Sequence, residues 1–231
     1  MSPLTRHIAL VAYPQFTALD LLGPHHVLSM LPGTKVHIVA ASRAPVTSDL
    51  GLTVVPTMDF DECPPDLTVL LLPGGTTGTL AAMQDPLLQA FVRDRGARAQ
   101  WVCSVCTGSL VLAAAGLLKG YRATSHWATL PLLSLLGVTP VAERVVRDRN
   151  RLTGAGVTAG LDFGLTLVAE LSDAAFAGKV QLLAEYDPEP PFDTGSPAKA
   201  GDATTAEIRA HLSKFLTAAE QAVLAASMHT H

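Results

Sequence analysis

The chain is sparing with cysteine, aromatics and charge. Its 231 residues hold three cysteines, 5% aromatic and 16% charged residues, and a formal charge of −4. Cys63, Cys103 and Cys106 form an odd set with no disulfide-framework spacing, which excludes a stapled extracellular fold and leaves at least one free thiol. A cytoplasmic setting is therefore expected. Scattered Arg and Lys make no basic stripe, so no nucleic-acid partner is expected. The apolar runs at 67–72 and 110–118 fall short of the roughly 20 residues that a membrane span needs. The amino terminus shows no signal-peptide pattern, and no membrane partner is expected. Eight histidines occur without H-E-x-x-H or paired Cys/His spacing, so no protein-held metal is expected.

What is present is apolar bulk. A 48% hydrophobic content over this length supports one sizeable α/β core. Buried strands are predicted at 7–12, 35–40 and 67–72, the last a continuous apolar run as in a parallel sheet covered on both faces. Helices are predicted at 19–31, from Asp85-Pro86 towards 97, at 107–115, 158–170 and 173–185, with a short helix ending at Leu136-Gly137. Hairpins are predicted around 46–55 and at 144–153, the second turned by Arg149-Asn150. This alternation predicts an α/β fold, a doubly wound, mostly parallel sheet sandwiched by helices. Residues 1–190 are read as the catalytic domain. Residues 191–231 are read as a Pro/Gly-rich arm and a single C-terminal helix opened by a Thr204-x-x-Glu207 capping box, not an independent domain. That helix has two readings, packing on its own subunit or on a second one. Residues 228–231 are expected to be disordered.

The most informative stretch is Ser104-Val105-Cys106-Thr107-Gly108, where a β-rich run stops and a helical pattern begins. This is the cysteine counterpart of a serine nucleophile elbow, and unpaired amides at the helix start favour thiolate over thiol. The competing reading is a small apolar residue packed beneath the helix. Cys103 lies inside the strand and reads as core rather than as half of a redox couple. Asp20, just past another strand's end, is the candidate acid or base beside the thiol, or else a helix cap. Gly74-Gly75 either makes a tight turn or brings the Gly75 amide, with that of Thr107, to the reacting substrate. His126 either lines the pocket or is a satisfied, partly buried histidine.

Taken together, several blocks resemble the ThiJ/PfpI branch of the class I glutamine-amidotransferase-like superfamily over residues 7–198 or so. They are Leu19-Asp20-Leu21-Leu22-Gly23-Pro24, Pro73-Gly74-Gly75, Ser104-Val105-Cys106-Thr107-Gly108-Ser109, Ala123-Thr124-Ser125-His126-Trp127, Leu152-Thr153-Gly154-Ala155-Gly156-Val157 and Glu185-Tyr186-Asp187-Pro188. The resemblance implies a flavodoxin-like sheet, a homodimer, and the hydration of a small organic isocyanide to an N-substituted formamide without metal or organic cofactor. It implies Cys106 as nucleophile through a thioimidate, Asp20 as proton donor and water activator, and Thr107 as hydrogen-bond partner of the reacting group through its hydroxyl or its amide. Gly75, His126 and Tyr186 are then substrate-binding residues. Thr107 stands where peptidase-like members carry histidine, and Asp20 stands where redox-protective and glyoxalase-like members carry glutamate. The alternative is a redox-sensing, stress-protective or glyoxalase-like protein using the same cysteine.

Overall fold

The computed structural model describes residues 5–228. In chain order the elements are β1 (Arg6–Val11), α1 (Ala18–Leu28), β2 (Thr34–Ala40), β3 (Val46–Thr47), β4 (Thr53–Val54), β5 (Met58–Asp59), β6 (Val69–Leu72), α2 (Thr77–Gln84), α3 (Pro86–Arg98) and β7 (Trp101–Val105). There follow α4 (Gly108–Ala114), β8 (Arg122–Ala123), a 3₁₀ helix (Leu130–Leu136), β9 (Thr139–Pro140), β10 (Val145–Asp148), β11 (Arg151–Gly154), α5 (Ala159–Leu171), α6 (Ala174–Leu183), α7 (Pro197–His211) and α8 (Ser213–Ser227).

Seven strands form one sheet in the order β10-β11-β7-β6-β1-β2-β5, parallel throughout except for β10. The central strands read as unbroken apolar runs because both faces are covered: every residue of β6 is buried, and so are the last four of β1. Helices α1, α5 and α6 pack together on one side, and α2, α3, α4 and α8 on the other. Val223 and Ala219 of α8 are fully buried, so this terminal helix docks on its own subunit.

Local signals explain most boundaries. Asp85 caps α3 by accepting from the amides of Leu87 and Leu88, with Pro86 as the first helical residue. Gly116 ends α4 at φ 78°, and Gly137 ends the 3₁₀ helix at φ 71°. The β10–β11 hairpin turns through Arg149 at φ 53°. Two elements depart from the sequence reading. Helix α2 was not anticipated, since Thr76-Thr77-Gly78-Thr79 reads as turn chemistry rather than helix propensity. The single terminal helix is two, because Pro197 nucleates α7 ahead of the capping box, Gly201 kinks it at φ 79°, and α8 begins afresh at Ser213. Thr204 thus lies inside α7. The expected disorder at 228–231 falls, beyond Met228, outside the described residues.

The topology gathers loops at one edge. β1 is followed by β2 on one side and β6 on the other, so a crevice opens at the carboxyl ends of β1 and β6. Registers Leu10↔Leu71, Leu72↔Ser104 and Gly154↔Val105 bring β1, β6, β7 and β11 to their ends nearly level. Gly108 is held there by close approach, since a Cβ on it would lie 2.2 Å from the Leu72 carbonyl oxygen. Gly108→Ala is expected to cost about 1–3 kcal/mol of stability by overpacking. Urea denaturation should show an earlier midpoint with unchanged slope.

Candidate active site

Cys106 is the first of the two residues between β7 and α4, and its φ of 55° places it in the left-handed region that non-glycine residues rarely adopt. The strained turn is held from behind. The Cys106 amide is shared between the carbonyls of Gly154 (3.1 Å) and Ala155 (2.9 Å), while the Cys106 carbonyl accepts from the Ser109 and Ser125 hydroxyls, each at 3.2 Å. Strain over-determined by its surroundings in this way is what a strand-to-helix nucleophile elbow shows. Cys106 keeps 5% of its surface exposed, against none for Cys103, which is sealed within β7. All three cysteines are free thiols.

Asp20 comes from the first turn of α1 and is fully buried. The N-cap of that helix is Thr17, so the capping reading of Asp20 is set aside. Its Oδ2 accepts from the Gly74 amide at 2.8 Å, and Oδ1 has no partner of hydrogen-bond geometry. The Cys106 thiol faces this carboxyl closely enough to perturb it. Burial pushes Asp20 up to about 8, opposed by the Gly74 amide and by the thiol and assisted by the charge of Asp49. With Oδ2 bonded to an amide, Oδ1 is the oxygen open to a proton.

The thiol behaves differently from the sequence expectation. Burial drives Cys106 above the ordinary thiol range, and Asp20 drives it further, while the amides of Val157 and Thr107 and the Thr107 hydroxyl pull the other way. Helix amides alone predicted a ready thiolate. Desolvation outweighs them, and both groups are shifted towards their neutral forms.

Two further roles need correction. The Gly75 amide is not available to a substrate, because it donates to Thr107 Oγ1 at 3.0 Å. The Thr107 hydroxyl is itself occupied, donating to the Gly75 carbonyl at 2.8 Å and touching Thr79 Oγ1 at 2.7 Å. What Gly74-Gly75 supplies is backbone room: a Cβ on Gly74 would sit 2.6 Å from the Thr107 nitrogen and 2.8 Å from the Cys106 Cβ.

His126 is half-buried beside the loop that faces the thiol, and a Cβ on Gly156 would touch its ring at 2.9 Å. Its Nδ1 accepts from the Ala128 amide at 3.3 Å, and burial lowers its basicity, so it is a neutral wall. Tyr186 is not brought to the thiol by any contact. Its hydroxyl donates to Asp162 at 2.9 Å, in a cluster completed by Arg144, where a tyrosine near an exposed ion pair gains a charge-assisted bond.

Sequence reasoning missed Val157, Thr79, Tyr13 and Ser125. Val157 sits at φ 22° with its amide towards the sulfur, and its signal was its place in the Leu152-Thr153-Gly154-Ala155-Gly156-Val157 block. Tyr13 is buried with its hydroxyl on the Pro73 carbonyl at 2.6 Å. Among the described residues, no group of three or more His, Cys, Asp or Glu side chains converges, and no helix is long and apolar enough to cross a membrane. A cavity of about 570 Å³ lies between α2, α3, α4 and α8, away from Cys106 and Asp20.

Residues 6–170 match the sequence model of the DJ-1/PfpI family. The chain is 51% identical over 202 residues to an isonitrile hydratase from Pseudomonas putida, spanning 87% of this chain and 88% of that protein. It is 28% identical to the Pyrococcus furiosus protein named deglycase PfpI over 59% of this chain and 81% of the relative. A ThiJ/PfpI family protein from Pseudomonas syringae superposes with a TM-score of 0.93 at 53% identity, covering 95% of this chain and 90% of that one.

The buried acid makes stability depend on pH with a definite sign. A carboxyl near 3.8 when unfolded and near 8 when folded binds its proton more tightly in the native state, so stability falls as pH rises between those values. Asp20→Asn removes that dependence. The melting temperature of the native protein should drop relative to Asp20→Asn from pH 5 to pH 8, by up to about 1.4 kcal/mol of stability per pH unit, and the gap should level off above pH 8. Parallel curves would show that Asp20 is ionised throughout.

Proposed function

The chain belongs to the DJ-1/PfpI family, and on that premise we propose that it is a hydro-lyase that adds water to a small organic isocyanide and releases the N-substituted formamide. The observation that carries this reading is the likeness to the Pseudomonas putida hydratase over nearly the whole of both chains. The geometry of Asp20 and Cys106 supplies the chemistry. The terminal carbon of an isocyanide must gain a nucleophile and a proton together.

In the proposed cycle the Cys106 sulfur bonds to that carbon while Asp20 Oδ1 delivers its proton there, and the proton leaving the thiol returns to the carboxyl. The product is a thioimidate, with Asp20 protonated again. Water then adds to the same carbon. Asp20 takes one of its protons and hands one to the substrate nitrogen. The C–S bond breaks, the hydroxyl proton returns through Asp20 to sulfur, and the formamide leaves. The cycle consumes one water and creates no net charge, which suits a dry enclosure. The Val157 and Thr107 amides support negative charge on sulfur when it forms and departs. His126 bounds the substrate, and Gly75 shapes the site through its backbone alone. Tyr186 acts at a distance, holding Asp162 on the first turn of α5.

The protein is further proposed to be a cytoplasmic homodimer. Three free thiols support a reducing compartment. Leu182 and Leu183, 81% and 74% exposed at the end of α6, the helix that packs on α5, support self-association there. Light scattering at micromolar concentration should give twice the chain mass.

Purified protein supplied with small alkyl and aryl isocyanides should form the formamides, followed by mass spectrometry. No turnover on any of them, alongside activity on methylglyoxal, would replace this reading with a glyoxalase-like one. Cys106→Ala should abolish turnover without lowering the melting temperature, whereas residual activity would remove the covalent route. Asp20→Asn should lower kcat by about a hundredfold or more, the size of a lost general acid.

A further inference from the structure

Beneath Cys106 there are more short oxygen contacts than protons to fill them. Thr107 Oγ1, Thr79 Oγ1 and the Gly75 carbonyl oxygen form a triangle with edges of 2.7, 2.8 and 2.9 Å. Only two hydroxyl protons serve its three edges. A third proton is not on offer, since the Tyr13 hydroxyl is committed to the Pro73 carbonyl at 2.6 Å and is 3.4 Å from Thr79. The Gly75 amide meanwhile fills one acceptor site of Thr107. Thr79 is fully buried, and neither the family resemblance nor the proposed mechanism uses it.

At 2.7 Å two hydroxyl oxygens must share a proton. With Thr107 donating to the Gly75 carbonyl, the proton on that edge comes from Thr79, so the chain runs Thr79 to Thr107 to Gly75. The sulfur is the other acceptor within reach of the Thr107 hydroxyl, and Thr107 favours its ionised form. When the Thr107 proton turns to the sulfur, the Gly75 carbonyl loses its donor in a dry environment. Thr79 stands 2.9 Å from that same carbonyl and can replace it.

We propose that Thr79 is a positioning residue that makes the Thr107 hydroxyl switchable: it donates to Thr107 while the sulfur is protonated and takes over the Gly75 carbonyl when Thr107 turns to a charged sulfur. This rests on the reading that Cys106 is the nucleophile. A purely local role would be the back-bond of a helical threonine to the carbonyl four residues earlier, which steadies α2 and leaves the thiol untouched.

The test is the rate at which iodoacetamide alkylates Cys106 at pH 8, resolved from Cys63 and Cys103 by peptide mass spectrometry. Thr79→Val keeps the shape and removes the hydroxyl. It should slow alkylation about tenfold, the effect of one hydrogen bond to an ionised group. Thr79→Ser, which keeps the hydroxyl, should restore the rate to within about twofold. Equal rates in all three proteins would overturn the proposal, and so would equal slowing in Val and Ser. If Thr79→Val does not fold, Thr79→Ala against Thr79→Ser carries the same contrast. No isocyanide enters the assay, so failure to hydrate isocyanides and failure of this switch are separate outcomes.

Discussion

A carboxyl group and a thiol occupy one enclosure from which water is nearly excluded, and neither can carry charge there without a large desolvation cost. This constraint governs the rest of the site. Asp20 keeps its proton to about 8 despite a hydrogen bond from the thiol, and Cys106 is held above its ordinary range by burial and by the charge of Asp20. An isolated thiol so placed would be inert. A thiol beside a proton-holding oxygen can instead react through neutral states, because the proton that sulfur gives up has a destination a hydrogen bond away.

The ends of β1, β6, β7 and β11 deliver Asp20, the 73–75 turn, Cys106 and the 154–157 loop to one level. The amides nearby are then assigned in turn: Gly74 to Asp20, Gly75 to Thr107, and Cys106 to the carbonyls of Gly154 and Ala155 at the end of β11. Asp20 Oδ1 is left over, as are Asp49 Oδ1 and Ser104 Oγ, along with the amides that face sulfur. In a packed interior an orphan polar atom costs on the order of 1–3 kcal/mol. Its persistence at this carboxyl, with left-handed backbone at Cys106 and Val157, stores unfavourable energy at the site.

The sheet and the elbow were legible because they are written in local chemistry. An unbroken apolar run such as 67–72 admits few structures once glycine and proline follow it, and Cys106 between small residues marks a strand-to-helix corner. The identity of the hydrogen-bond partners was not legible. Gly75 read as a free donor because glycine reports backbone room, whereas the destination of its amide depends on a threonine 32 residues away. Tyr186 sat in a motif yet spends its hydroxyl on Asp162, an interaction made across 24 residues. The thiol's protonation was misjudged for a related reason: the helix start is visible in sequence, but the degree of burial that overrides it is a property of the whole core.

The same reasoning explains why a hydration suits this site better than a reaction that leaves charge behind. Every step proposed for the isocyanide moves a proton in the direction opposite to the one just moved, so the carboxyl ends each step as it began. A substrate demanding a standing thiolate would have to offset both the burial of sulfur and the repulsion of Asp20. The amides of Val157 and Thr107 and the Thr107 hydroxyl counter only part of that. Proton placement around the sulfur, more than the sulfur itself, is what selects the reaction.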